Sequence, residues 1–74
     1  MNAMPAQNFN PDMAAKAIKG CLAMNDIKIK DYAKHLGVTR QLLSQFLNRH
    51  VDLRQDQIEW ILNDLGIRHL FVRR

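Results

Sequence analysis

Seventy-four residues are enough for one domain with a single small core, and a hydrophobic fraction of 47% with 24% charged residues is the balance of an ordinary globular chain. The lone Cys21 excludes a disulfide framework, no apolar run is long enough to span a bilayer, and no charged-then-apolar leader opens the chain, so a cytoplasmic setting is expected. A net charge of +4 admits nucleic acid or another acidic partner.

Residues 1–9, "MNAMPAQNF", show no periodicity and are expected to form a flexible N-terminal arm. Asn10-Pro11-Asp12 is a strong helix start: a capping side chain, a proline in the first turn, then an acid at the positive end of the dipole. Ala14, Ala17, Ile18, Cys21 and Leu22 make one apolar stripe, and the helix should end around Met24-Asn25. A second, short helix is expected from Asp26 or just after, with Ile29, Tyr32, Ala33 and Leu36 on one side and Lys30, Asp31, Lys34 and His35 on the other. Gly37 should end it.

Thr39 is a good cap for a third helix running to about Asn48. At roughly 100° per residue, Arg40, Gln41, Ser44, Gln45 and Asn48 fill a continuous polar arc of about 140°. Leu42, Leu43, Phe46 and Leu47 fill the opposite side. Asp52 with Gln55 has the spacing of a capping box for a fourth helix to about Leu65, closed by Gly66, with Ile58, Ile61, Leu62 and Leu65 inward. Trp60 falls off that stripe, towards Leu53 and Ile67. The remaining "IRHLFVRR" fits either a fifth short helix or a strand. The expected fold is all-α, a compact four- or five-helix domain over residues 10–67 with a basic, apolar tail at 68–74.

Charge is unevenly distributed. Residues 28–50 carry Lys28, Lys30, Lys34, Arg40 and Arg49 against Asp31 alone, whereas residues 51–65 carry four acids against Arg54. The basic block coincides with the second and third helices. His35, His50 and His69 have no metal-ligand spacing among themselves or with Cys21, and neither a glycine-rich phosphate loop nor a nucleophile-base pair at recognised spacing is present. Catalysis, a metal and a cofactor are therefore not expected.

Two short helices around a glycine-containing turn suggest a helix-turn-helix. The stretch "DYAKHLGVTRQLLSQFLN" resembles the lambda-repressor and Cro family of DNA-binding domains, also called the Xre family. Ala33 sits at the close crossing of the two helices, Gly37 sits in the turn, and Tyr32, Leu36, Val38, Leu43 and Phe46 occupy the family's buried positions. "AIKGCLAMNDI" resembles its first helix and "QIEWILNDLGI" its fourth, so the similarity covers about Ala17 to Ile67. One departure stands out: where the family often opens its second helix with Thr or Ser followed by Gln, this chain has Lys28 and Ile29.

The resemblance implies duplex DNA as partner and gives the polar arc a purpose. Multidentate side chains near the start of a recognition helix can read base edges in the major groove. Arg40, Gln41 and Gln45, supplemented by Ser44, are the expected base contacts. Lys28, Lys30, Arg49 and His50 are expected at the DNA backbone, and the resemblance adds Thr39 and Asn48. The resemblance further implies a homodimer on a palindromic operator. Trp60 needs cover from its own C-terminal segment or from a second subunit, and Trp60, Leu70 and Phe71 are the expected dimer interface.

The function expected is that of a small transcriptional regulator acting by operator occupancy, as a phage-type repressor or an antitoxin-like autoregulator. Two rivals stand beside it: a protein-interaction module on the same scaffold, meeting a partner such as a toxin through Leu47, Trp60 and Phe71, and a nonspecific basic architectural DNA-binding protein.

Overall fold

Helix boundaries follow capping chemistry. In the computed structural model, which describes residues 9–71, α1 spans Pro11–Met24, α2 Ile29–Leu36, α3 Arg40–Leu47 and α4 Gln55–Asp64, and a single 3-10 turn follows at Arg68–Leu70. All regular structure among the described residues is helical. Asn10 Oδ1 caps α1, accepting from the amides of Asp12 (2.9 Å) and Met13 (3.2 Å). Thr39 Oγ1 caps α3 by accepting from Leu42 N at 3.0 Å.

The α2 start falls just after Asp26, as expected, and the α4 start differs. α2 begins at Ile29 because Asp26 is consumed in ending α1: it is left-handed (φ 56°), and the Asp26 and Ile27 amides donate to the carbonyls of Ala23 and Leu22. α4 begins at Gln55, and the Asp52–Gln55 capping box does not form. Asp52 is taken by Arg49. The Gln55 side chain turns to residue 9, its Oε1 accepting from Phe9 N (2.6 Å) and its Nε2 donating to Phe9 O (3.0 Å). Gln57 instead reaches back, its Oε1 accepting from Arg54 N at 3.1 Å.

All four helices end in the same way. A left-handed residue follows each one: Asp26, Gly37, Arg49 and Gly66. In each case the next amide donates back across the last turn, from Ile27 to Leu22, Val38 to Ala33, His50 to Gln45 and Ile67 to Leu62. Three of these pairs are apolar, so the exiting chain is drawn back to the core. The pair ending α3, His50 and Gln45, is polar.

The core is built from Ala14, Ala15, Ile18 and Leu22 of α1, Tyr32 and Ala33 of α2, Leu43, Phe46 and Leu47 of α3, and Ile58, Ile61 and Leu62 of α4. Ala15 is buried where the sequence stripe had Ala17, which is only half-buried along with Cys21 and Leu65. α1 packs on both α3 and α4, and α2 packs on α3. Phe9, assigned from sequence to a flexible arm, is a core residue: it is buried and held on both sides of its peptide backbone by Gln55. Its ring meets Phe71 edge-on at 6.2 Å. The arm reading for residues 1–8, and the last three residues of the 68–74 tail, lie outside the described residues. Among the described residues after Gly66, a short 3-10 helix at Arg68–Leu70 packs against α4, and no strand forms.

A polar clasp joins α2 to the end of α4. Tyr32 donates its hydroxyl to Asp64 Oδ2 at 2.8 Å, and His35 Nε2 lies 3.3 Å from the same oxygen. Burial, reinforced by the Asp64 carboxylate, pushes the Tyr32 phenol well above its ordinary range.

Candidate nucleic-acid interface

The amphipathic sequence of α3 places Leu43, Phe46 and Leu47 in the core, so the residues between them must face outward. Arg40, Gln41 and Asn48 are exposed, and Ser44 and Gln45 are half-buried on the same side. From Tyr32 to Val51 there is no Asp or Glu. Asn48 is held at the far end of the face, its amide nitrogen donating to Ser44 Oγ and its Oδ1 accepting from Lys19 Nζ, both at 3.5 Å.

At the near end, Lys28, Ile29 and Lys30 from the start of α2 meet Arg40 and Ser44 around one shallow recess of about 380 Å³. The structure thus brings five of the expected contacts into a continuous strip: Lys28, Lys30, Arg40, Ser44 and, beyond it, Asn48. Thr39 is exposed beside Arg40, but its hydroxyl oxygen is engaged as the α3 cap.

Ion pairing sorts the remaining charges. Asp12 and Asp52 pair with Arg49, Asp56 with Arg54, Glu59 with Arg68, and Asp64 faces His35. Among the described residues, Lys16, Lys19, Lys28, Lys30, Lys34 and Arg40 take no carboxylate partner. Every one of these lies on α1, on α3 or in and just before α2. Lys28, Lys30 and Arg40 at one end of the polar face and Lys19 at the other thus carry positive charge without a carboxylate partner, while five of the seven acids face basic groups elsewhere.

Arg49 does not belong with the free cations. Its Nε lies 2.6 Å from Asp12 Oδ1, an Nη reaches Asp52, and the guanidinium lies over the Phe46 ring at 5.4 Å. Hydrogen bonds to Asp12 and then Asp52 raise its already high pKa. Arg49, expected at the DNA backbone, has a structural role in the free chain: it ties the start of α1 to the approach to α4 and anchors the end of α3. His50 is exposed immediately after it.

Lys19 is the residue that sequence reasoning missed. Residues 1–27 carry Lys16 and Lys19 against Asp12 and Asp26, but Asp12 is drawn off by Arg49, 37 positions away. That leaves Lys16 and Lys19, three apart on α1, without it, and Lys19 reaches Asn48. The available signal was the Asp12, Lys16, Lys19 spacing, which puts all three on one helix face.

The expected dimer residues separate. Trp60 is 49% exposed and Leu70 62% exposed. Phe71 is half-buried against Phe9 within its own chain. Trp60 instead rests on His35, with ring centroids 5.8 Å apart, and helps to line an apolar groove of about 240 Å³ with Leu36, Val38, Leu53 and Ile61. Among the described residues no His, Cys, Asp and Glu side chains cluster to hold a metal, and no helix is long and apolar enough to cross a membrane. No protein-family model, curated protein or solved structure matches the chain.

Proposed function

We propose that this chain binds duplex DNA by inserting α3 into the major groove, and acts as a small transcriptional regulator through occupancy of its site, as in the lambda-repressor and Cro family it resembles. The observation that supports this most directly is the acid-free polar face of α3, bordered on both sides by cations that have no carboxylate partner. Lysines along α1 and α2 suit the phosphates flanking the groove, giving salt-dependent affinity. Gln41 and Gln45, with Ser44, are suited to base edges, and each good bidentate pair contributes roughly 1–3 kcal/mol of discrimination. Blocking a promoter then requires only affinity and position.

Binding to random and selected duplexes over a range of salt tests the reading. A strong preference for one sequence supports it, equal affinity for all sequences turns the protein into an architectural binder, and no binding refutes DNA as the ligand. A palindrome among the selected sequences would support a two-fold homodimer. The exposed Trp60 beside its apolar groove favours a protein contact as a second role of the same chain. We assign that contact to a second copy, with a toxin-like partner as the competing occupant. Sedimentation of the chain alone discriminates, since self-association is expected only for the homodimer.

A further inference from the structure

The recess between α2 and α3 sharpens the reading of Arg40. Arg40 is the first residue of α3, and with Ser44 one turn on it lines the recess that Lys28 and Lys30 line from the start of α2. Three cations thus converge on one concavity with no carboxylate in its lining. The nearest acids in sequence, Asp26 and Asp31, form no ion pair with them among the described residues. Gln41 and Gln45 do not line the recess. Lys28 offers α2 no side-chain cap, so the Ile29 and Lys30 amides at the start of that helix donate to no capping side chain.

From this geometry we infer that Lys28, Lys30, Arg40 and Ser44 form a clamp for a single phosphate, and that Arg40 acts on the DNA backbone rather than on a base. A phosphate presents several acceptor oxygens to converging donors, and arginine engages it in bidentate fashion while the lysines act as point charges. A guanine contact requires the guanidinium to reach the floor of the groove. A side chain set alongside α2 lies at the groove wall instead. Sequence discrimination then falls to Gln41 and Gln45. The inference rests on the DNA-binding reading, and it moves both Arg40 and Ser44 from the base contacts expected from the sequence to the backbone contacts.

The test is in vitro selection run in parallel with the wild-type chain, Arg40→Ala and Gln41→Ala, followed by salt titrations on the selected duplex. Arg40 and Gln41 are both exposed, and thermal melting confirms that the variants fold. Arg40→Ala is expected to recover the wild-type sequence preference, to bind selected and random duplexes more weakly by the same factor, and to lower the salt slope by about 0.9. Arg40→Lys should restore most of that slope, and Gln41→Ala should lose preference at one position. An altered preference with an unchanged slope in Arg40→Ala overturns the clamp and returns Arg40 to base reading. Failure of the wild-type chain to bind any duplex refutes the DNA reading instead. In that case, titration with inorganic phosphate while monitoring the Ile29 and Lys30 amides by NMR decides the recess: shifts abolished by Arg40→Ala uphold it, and absence of shifts overturns it.

Discussion

Arg49 shows how one side chain can fix the end of a helix. It occupies a left-handed conformation (φ 63°) in which residues other than glycine are uncommon, and its guanidinium is held by Asp12 and Asp52. Arg49→Ala removes the tether and keeps the backbone cost, whereas Arg49→Gly removes the tether and relieves it. The urea midpoint is therefore expected to fall more for alanine than for glycine, with both falls shrinking at high salt. Tyr32 makes the complementary case. Its phenol stays neutral in the folded state above the pH near 10 at which an unfolded tyrosine ionises, so this contribution is complete below about pH 10 and declines above it. Urea melts of Tyr32→Phe should show about 1 kcal/mol less stability at neutral pH, from the lost bond to Asp64, and a shallower decline above pH 10 than wild type. At Gln55, alanine would strip both bonds from the Phe9 backbone, for an expected loss of about 1–3 kcal/mol in the same measurement.

For the helices, the same substitution has opposite effects according to where it falls. Gly37 follows α2 with φ 79°, and a Cβ there would meet nothing within 4 Å, so the whole penalty of Gly37→Ala is backbone strain of about 1 kcal/mol. Gly20 is inside α1 and equally open, but its φ is not positive. Gly20→Ala should therefore stabilise by about 0.5–1 kcal/mol through helix propensity. Thermal melts of the two variants should move in opposite directions. The shift caused at Gly37 should also weaken DNA affinity if α3 docks as proposed, because Gly37 sets the angle between α2 and α3. The α3 terminus differs from the other three in that its closing backbone bond joins two polar residues, His50 and Gln45.

For the molecule as a whole, charge and apolar exposure are placed on different parts of the surface. Cations without carboxylate partners lie at both ends of the α3 polar face, while the Trp60 groove is formed where α2 and the following turn meet α4 and its approach. This arrangement allows one face to meet DNA while another meets protein. Trp60→Ala is expected to reduce self-association in sedimentation at matched concentration and to leave the affinity of a single half-site duplex unchanged. An unchanged sedimentation profile would count against the second-copy assignment. Phe71→Ala should instead lower stability, because its ring packs on Phe9 inside the same chain.

The sequence by itself determined the local order of the molecule. Asn10, Thr39, Gly37 and Gly66 mark helix ends by side-chain capping and by backbone freedom, effects that act within four or five residues. Helical periodicity placed most of the core and separated the polar arc of α3 from its buried side, because a stripe repeating at 3.6 residues needs no knowledge of its partner. What only the tertiary structure decided involves partners far apart in the chain. Gln55 is drawn from its expected cap to Phe9, 46 positions away, and Arg49 from the solvent to Asp12. Lys19 is carried to Asn48 across 29 positions, and Arg40 is set beside Lys28 and Lys30. Polar and charged side chains on a surface have many possible partners of similar energy. Which one each takes depends on how the helices pack, and no local pattern encodes that.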